Sequence, residues 1–270
     1  MHWVLQDNIF QEYGYDELLR ALERYKIPYT QVKVIPFIHE MIPDIDFEEP
    51  VFVCGSTAMT KIAQKKGWKP GSFYNENFTY EAWSKGFGLD VILNADAIVG
   101  RFDEIDIPMG TFFIRPCEDT KSFSGEVMEP ADFEEWRENV VGINEDLAPL
   151  KPETMIMISG IKEIYQEFRF FVVDTRVITG STYKTGNMVR YSSVVDQDVK
   201  QFAEMLANHW QPTRAYVMDI ARTPDGLKLI EINNINSAGF YDCDIGKIVE
   251  AIEGMRDYNE VEWIGNIRLL

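Results

Sequence analysis

The stretch AYVMDIARTPDGLKLIEINNIN, which begins at Ala215, constrains the fold of this chain more than any other segment. Two runs of apolar residues flank the sequence Thr-Pro-Asp-Gly at 223–226, and a turn of this kind between two such runs predicts a β-hairpin. Alternate side chains of a strand point to opposite faces, so Glu231 and Asn233 share one face of the second strand. The segment therefore predicts an antiparallel hairpin with polar groups on one face.

The length of the connection decides whether Asp219, on the first strand, joins Glu231 and Asn233. A five-residue connection places Asp219 directly across from Glu231, whereas a four-residue connection places it on the opposite face. A hairpin that merely faces solvent would explain the polar residues, but it does not explain their apolar same-face neighbours. These neighbours are Val217, Ala221, Leu227 and Leu229. Because Mg²⁺ prefers hard oxygen ligands, the three polar residues predict a magnesium site.

The alternation of strand-like and helix-like segments over the first hundred residues predicts a parallel sheet built from βαβ units. From about residue 106 longer apolar strands are joined by tight turns, including Asp174-Thr175, and this pattern predicts an antiparallel sheet. Three amphipathic segments that begin at Pro130, Asp196 and Ile245 predict helices on one face of that sheet. The expected class is α/β, with an α+β C-terminal part, and the expected domains are residues 1–105 and 106–270.

The charge and motif content of the chain exclude several functional classes. Its 44 acidic and 26 basic side chains give a formal net charge of −18, which disfavours nucleic acid and anionic membranes as partners. The sequence has no secretory signal pattern and no apolar stretch long enough to span a membrane, which together predict a cytoplasmic protein. Three widely spaced cysteines and the lack of GxSxG, HExxH and P-loop motifs do not favour a disulfide framework, a hydrolase triad, a zinc protease or a P-loop NTPase.

Two further strands carry charged residues that are candidates for a cleft. In FFIRPCEDTKSFSG the strand ends at Arg115-Pro116, and the polar loop that follows, with Lys121, suits either polyphosphate binding or a plain solvated loop. In EFRFFVVD, Glu167 and Arg169 share a face, where they either form a salt bridge or line a cleft. The residues that extend this polar face are substrate or phosphate candidates, namely Ser181, Tyr183, Lys184 and Arg190.

Together, the IRP strand, the loop with a lysine, the ExR strand and an Asp followed twelve residues later by ExN resemble the ATP-grasp superfamily. More specifically, they resemble the clade in which arginine replaces the nucleotide-binding lysine of the central strand. The resemblance covers about residues 95–250. It implies an ATP-grasp fold that is preceded by a Rossmann-like pre-grasp domain.

The resemblance also implies roles for individual residues. It assigns the binding of Mg²⁺ to Asp219, Glu231 and Asn233. It assigns ATP binding to Arg115, Lys121, Glu167, Lys184 and the backbone hinge at 157–161 with Ile158 and Ser159. The candidates for catalysis are Arg115, Lys121, Arg169 and Arg190. The loop that would hold the acceptor side of the substrate contains Asn236, Ser237 and Gly239. Arg101 would stand for a more N-terminal basic residue of the family.

The implied chemistry begins when a substrate carboxylate attacks the γ-phosphate of ATP to form an acylphosphate and ADP, after which an amine displaces phosphate. The implied function is therefore a carboxylate-amine ligase that uses ATP and Mg²⁺ and acts on small-molecule or peptide substrates. Two alternatives stay open, a phosphotransferase on the same fold and a non-catalytic nucleotide-binding module. The oligomeric state is also open, a homo-oligomer included.

Overall fold

The computed structural model describes residues 1–9, 13–35, 38–118, 122–142 and 150–255. Within these ranges the chain forms three β-sheets and six α-helices, so the mixed α/β class predicted from the sequence is confirmed. None of the helices in the same ranges is long and apolar enough to cross a membrane.

The first sheet is built from the N-terminal part of the chain. Its strands are β1 (His2–Gln6), β2 (Tyr29–Ile35), β3 (Glu40–Ile42), β4 (Val51–Cys54) and β5 (Pro70–Gly71). They lie in the order β3-β2-β1-β4-β5, and β1 pairs in parallel with β2 and β4, as the βαβ pattern predicts. Helix α1 (Tyr15–Tyr25) joins β1 to β2, and α2 (Thr57–Lys66) joins β4 to β5. Leu18 and Leu22 share one face of α1 and pack in the core with Trp3.

The second sheet is antiparallel and has four strands. These are β6 (Ile98–Arg101), β7 (Phe112–Pro116), β8 (Glu126–Met128) and β9 (Met155–Ser159). They lie in the order β6-β9-β7-β8. Helix α3 (Tyr80–Phe87) precedes the sheet, and α4 (Pro130–Gly142) covers it by burying Phe133 among Phe112 and Ile114. Arg115 lies near the end of β7, so this sheet carries one of the predicted site residues.

The third sheet is antiparallel and has five strands. These are β10 (Gln166–Val173), β11 (Arg176–Thr185), β12 (Met188–Ser192), β13 (Ala215–Thr223) and β14 (Gly226–Asn234). They lie in the order β12-β11-β10-β13-β14. The prediction of a single antiparallel sheet after residue 106 is therefore wrong, because the strands divide between two sheets. Alternation of apolar and polar residues indicates which faces are buried, but it does not indicate which strands pair.

Helices α5 (Gln197–His209) and α6 (Ile245–Glu253) lie on opposite faces of the third sheet, so the prediction that the helices cover one face is wrong. In β10, Phe170 packs in the core with α5, whereas its neighbour Phe171 packs in the core with α6. A strand buried on both faces reads as a continuous apolar run, and EFRFFVVD has this pattern. By alternation Arg169 shares the face of Phe171, which places its charge on the side of α6.

The N-terminal sheet and the third sheet share one hydrophobic core. Trp3 and Leu18 from the first sheet and its helix pack in the same cluster as Val217 of β13 and Ile248 of α6. The division of the chain at residue 105 and the Rossmann-like character of the N-terminal part stay predictions.

Candidate active site

A β-bulge in the hairpin of β13 and β14 brings the three predicted metal ligands to one face of the third sheet. The turn is only two residues long (224–225), and with regular pairing it would place Asp219 across from Ile230. The register shifts next to Asp219, so Ile230 is an extra residue in β14 and Asp219 pairs with Glu231 instead. The prediction that the length of the connection decides this pairing is therefore wrong, because the bulge sets the register.

The same bulge changes which side chains share the face of Glu231. Leu227 and Leu229 were predicted as its same-face neighbours, but both pack on the other face of the sheet, in the core with α5. They precede the bulge, whereas Glu231 and Asn233 follow it and point to the same side as Asp219. A single extra residue therefore separates the apolar half of β14 from its polar half.

Two arginines hold the carboxylates of this cluster. Arg169 donates to Asp219 twice, from Nε to Oδ1 at 2.9 Å and from Nη2 to Oδ2 at 2.7 Å. Arg115, on the second sheet, forms an ion pair of 2.5 Å between its Nη1 and Oε2 of Glu231. Asn233 Nδ2 donates to Asp219 Oδ2 at 3.2 Å and to Glu231 Oε1 at 3.1 Å. The cluster therefore connects the second and third sheets through charged contacts.

The carboxyl groups of Asp219 and Glu231 lie close enough to share a proton, and their pKa values move in opposite directions. Burial raises the pKa of Asp219 to about 6, and the Glu231 carboxylate adds to this rise against the effect of Arg169. Burial also acts to raise the pKa of Glu231, but Arg115 and Asn233 outweigh it and hold that pKa below its ordinary value. Two facing carboxylates repel each other unless a proton or a cation lies between them.

This donor set fits one Mg²⁺ ion. Asp219 and Glu231 offer carboxylate oxygens, and the side-chain amide of Asn233 can present its oxygen to the same point after a flip. Among the described residues no group of three His, Cys, Asp or Glu side chains gathers, so a metal here would rest on two carboxylates and one amide. Mg²⁺ is ordinarily held by one or two carboxylates and completes its shell with water and substrate phosphates.

The cluster lies in a cleft of about 980 Å³ that is lined by the second and third sheets. This volume is at the upper end of the range of about 300–1,000 Å³ for the pocket of a small ligand. Four basic side chains of the lining each pair with a carboxylate: Arg115 with Glu231, Arg169 with Asp219, Lys162 with Asp96, and Lys184 with Glu167. Within the part of the lining that the structure describes, every cation is therefore neutralised by a nearby acid.

Glu167 and Lys184, both predicted to bind the nucleotide, lie together in this lining. Lys184 Nζ is 2.7 Å from one Glu167 oxygen, and the hydroxyl of Tyr183 donates to the other at 2.7 Å. Burial is the main reason that the pKa of Tyr183 is raised well above its ordinary value, so its phenol remains a donor at neutral pH.

The predicted adenine hinge follows β9, where the chain crosses from the second sheet to the third. Ile158 is buried in the core of the second sheet, and Ser159 is buried beside it. The residues that line the cleft are those that follow, 160–162. Asp96 Oδ2 accepts hydrogen bonds from Gly160 N at 3.0 Å and from Lys162 Nζ at 2.7 Å. The exposed part of the hinge is therefore held by Asp96, a residue that the sequence did not point to.

The predicted acceptor loop divides between the cleft and the protein core. Asn236 is buried, and its side chain accepts from Phe73 N at 2.9 Å and donates to Val53 O at 2.7 Å. It thereby connects the end of β14 to the N-terminal sheet and does not line the cleft. Ser237 and Gly239 do line the cleft, and the carbonyl oxygen of Gly239 accepts from Arg169 Nη1 at 3.0 Å.

Three predicted basic residues are not brought into this arrangement. Arg190 is exposed on β12 and is not part of the cleft lining. Arg101, on β6, pairs with Asp103 at 2.7 Å and also lies outside the lining. Lys121 falls outside the described residues.

A row of stacked aromatic rings lines one side of the cleft, and we call it the tyrosine row. Its members are Tyr183, Tyr241, Tyr191 and Tyr13. Successive ring centroids lie 4.9, 5.0 and 4.9 Å apart. The sequence analysis singled out only Tyr183, because the other rings come from distant segments that share no spacing signal.

Tyr241 occupies the centre of this arrangement. Its φ of 48° lies in the left-handed region, which is unusual for a bulky residue and is often found at functional sites. The guanidinium of Arg169 lies 4.4 Å from its ring centroid, and the rings of Tyr183 and Tyr191 stack against it. Burial raises the pKa of Tyr241 to about 12, so the ring is neutral at physiological pH. These contacts hold Arg169 between Asp219 and an aromatic face.

Comparison with known proteins supplies a family for this architecture. A family model described as an ATP-grasp domain of the R-to-K clade, family 3, matches residues 32–252, which is more than half of the chain. A search of curated proteins finds no significant match.

Solved structures of ATP-grasp ligases are similar to this chain along nearly its whole length. D-cycloserine synthetase DcsG has a TM-score of 0.65 at 12% sequence identity, over 93% of this chain and 98% of that one. The D-alanine–D-alanine ligase from Bacillus anthracis complexed with ATP has a TM-score of 0.56 at 12% identity, over 94% and 96% of the two chains. For ATP-grasp ligase PsnB complexed with a minimal precursor the values are 0.55 and 14%, over 93% and 97%. At these identities the similarity shows the fold, and the predicted ATP-grasp fold is confirmed.

Proposed function

Because the chain belongs to the ATP-grasp domain family numbered 3 in the R-to-K clade, we propose that it is a ligase that uses ATP and Mg²⁺ to join a carboxylate to an amine. The observation that best supports this proposal is the cluster of Asp219, Glu231 and Asn233, held by two arginines in a large cleft. The reaction would pass through an acylphosphate and release ADP. We further propose that the substrates are small molecules or peptides and that the protein acts in the cytoplasm.

The ion pairs of the cluster suggest how the site would change when it is loaded. Glu231 and Asp219 would coordinate Mg²⁺, which would neutralise the charge that develops on the phosphate oxygens during transfer. Once these carboxylates have a metal partner, Arg115 and Arg169 can turn their guanidinium groups toward the anionic groups of the substrates. Arg115 would then bind a phosphate, and Arg169 would orient the attacking carboxylate.

The remaining lining would position the two substrates. Glu167 and Lys184, together with the hinge residues 160–162, would hold the nucleoside end of ATP, as the family resemblance implies for this part of the chain. Ser237 and Gly239 would lie on the acceptor side. No nucleophile from the protein is needed, because the substrate carboxylate attacks the phosphate and the amine attacks the acylphosphate.

The experiment that tests this function measures ATP consumption by the purified protein with Mg²⁺ and pooled amino acids and small peptides, with ADP, AMP and phosphate resolved separately. We expect ADP and phosphate to form only when both an acid and an amine are present. A stable phosphorylated product that forms without an amine would replace the ligase by a phosphotransferase. Nucleotide binding without turnover in any pool would indicate a non-catalytic module.

Replacement of Arg115 tests its proposed contact with the phosphates. We expect Arg115→Ala to weaken the binding of the non-hydrolysable analogue AMPPNP with Mg²⁺ by about 10- to 100-fold, since a hydrogen bond to a charged group contributes roughly 1.5–3 kcal/mol. Isothermal titration calorimetry measures the dissociation constant. The matched control is Arg101→Ala, which removes an arginine outside the cleft and should leave the affinity unchanged. Equal affinities for the Arg115 variant and the parent protein would remove Arg115 from the phosphate site.

A further inference from the structure

The tyrosine row leads from the centre of the candidate site to its edge. At its inner end the rings of Tyr183 and Tyr241 lie beside Arg169, at 5.9 and 4.4 Å from the guanidinium carbon. At its outer end Tyr191 is 37% exposed and Tyr13 is 53% exposed, and both line the cleft. The row therefore has a part that is already occupied by a protein cation and a part with ring surface accessible to a ligand.

The face of an aromatic ring attracts cations because it carries partial negative charge. The inner rings show this preference directly, since the group stacked on Tyr241 is a guanidinium. The outer rings have the same chemistry, and Tyr191 stacks on Tyr241 in a nearly parallel arrangement with an interplanar angle of 19°. A positively charged group of a substrate would find an equivalent surface there.

The charge of the cleft favours the same kind of ligand. Each described cation of the lining pairs with a carboxylate, so an additional negative group on a substrate would find no unpaired cation among the described residues. Glu118 and Glu126 add further acidic groups to the lining. A positive group would be attracted both by these acids and by the tyrosine faces.

We infer that the amine substrate of this ligase carries a second positive charge, and that this charge binds against the outer rings of the tyrosine row, Tyr191 and Tyr13. The inference rests on the proposed function for the identity of the amine as a substrate. The amine that reacts must lose its proton before it attacks, so the charge that is recognised belongs to another group of the same molecule. The matching chemical class is a diamine or a derivative of a basic amino acid.

The test compares lysinamide with norleucinamide, two amines that differ in the terminal ammonium group of the side chain. Saturation-transfer NMR measures the affinity of each for the full-length protein without nucleotide, and the KM of each is measured separately in the ATP assay. We expect lysinamide to bind about 3- to 30-fold more tightly. Tyr191→Leu should remove this preference, while Tyr191→Phe should keep most of it because the ring face remains.

The control is Tyr165→Leu, which replaces a tyrosine that is 45% exposed but lies outside the cleft lining. It should leave the preference unchanged. Equal affinities for the two amines, or tighter binding of phenylalaninamide than of lysinamide, would overturn the inference while leaving the ligase proposal intact. A lysinamide preference that depends on Tyr191, in a protein that never turns over ATP, would support the binding site and reject the ligase.

Discussion

The variant Glu231→Gln is expected to lose ATP turnover by at least about 100-fold, which is at or beyond the upper end of what loss of a group that only supports a metal ligand costs such a site. Glu231 is a directly coordinating carboxylate in the proposed site, and its depressed pKa means that it is ionised at neutral pH. Glutamine has nearly the same shape but lacks the charge that attracts Mg²⁺. The rate of ADP formation at saturating ATP and several Mg²⁺ concentrations is the measurement.

This loss should not come from unfolding. A glutamine at 231 can still accept a hydrogen bond from Arg115, so we expect the free energy of unfolding to change by about 1 kcal/mol or less. The control is Asp225→Asn, a neutralised acid in the turn of the same hairpin, which should retain full turnover. A Glu231→Gln protein with the activity of the parent would eliminate the metal assignment.

The variant Arg169→Met is expected to lower the free energy of unfolding by about 3–5 kcal/mol, because it leaves the Asp219 carboxylate buried without its partner. Asp219 is 1% exposed, and Arg169 is 6% exposed. Arg169 also supports Gly239 and stacks on Tyr241, so its removal affects three contacts at once. Chemical denaturation with urea measures the change.

The double variant Arg169→Met with Asp219→Asn identifies the cause. If the unpaired charge produces the loss, neutralising Asp219 should recover about 2 kcal/mol or more, within the range seen for coupled residues. Arg222→Met is the control, because Arg222 on the same hairpin pairs with Asp196 and Asp198 at the surface and should cost about 1 kcal/mol or less. Additive losses in the double variant would contradict a buried ion pair as the source of stability.

Much of the fold was readable from local sequence patterns. The apolar stripe of YDELLRALERY predicted α1 with the bounds that it has, and the Asp174-Thr175 turn joins β10 to β11 as expected. Those predictions succeeded because helix periodicity and turn chemistry depend on residues that are close in the chain. The motif resemblance likewise led to the ATP-grasp fold.

The site was predicted in composition more accurately than in arrangement. The sequence pointed to Asp219, Glu231 and Asn233 and to both arginines, and the structure brings all five together. It did not indicate that Asn236 connects two sheets through its side chain, that Arg190 lies outside the cleft, or that Asp96 holds the hinge. These features depend on which distant backbone segment each side chain meets.

The sequence by itself determined the strands, the helices, the turn between β13 and β14 and the residue types of the site. Only the tertiary structure decided that the later strands form two sheets, that Ile230 bulges to put Asp219 across from Glu231, and that four distant tyrosines stack beside Arg169. The physical reason is the range of the interactions. Periodicity and turn preference arise between neighbours, whereas sheet partners, register and ring stacking arise from packing between segments that are far apart in the chain.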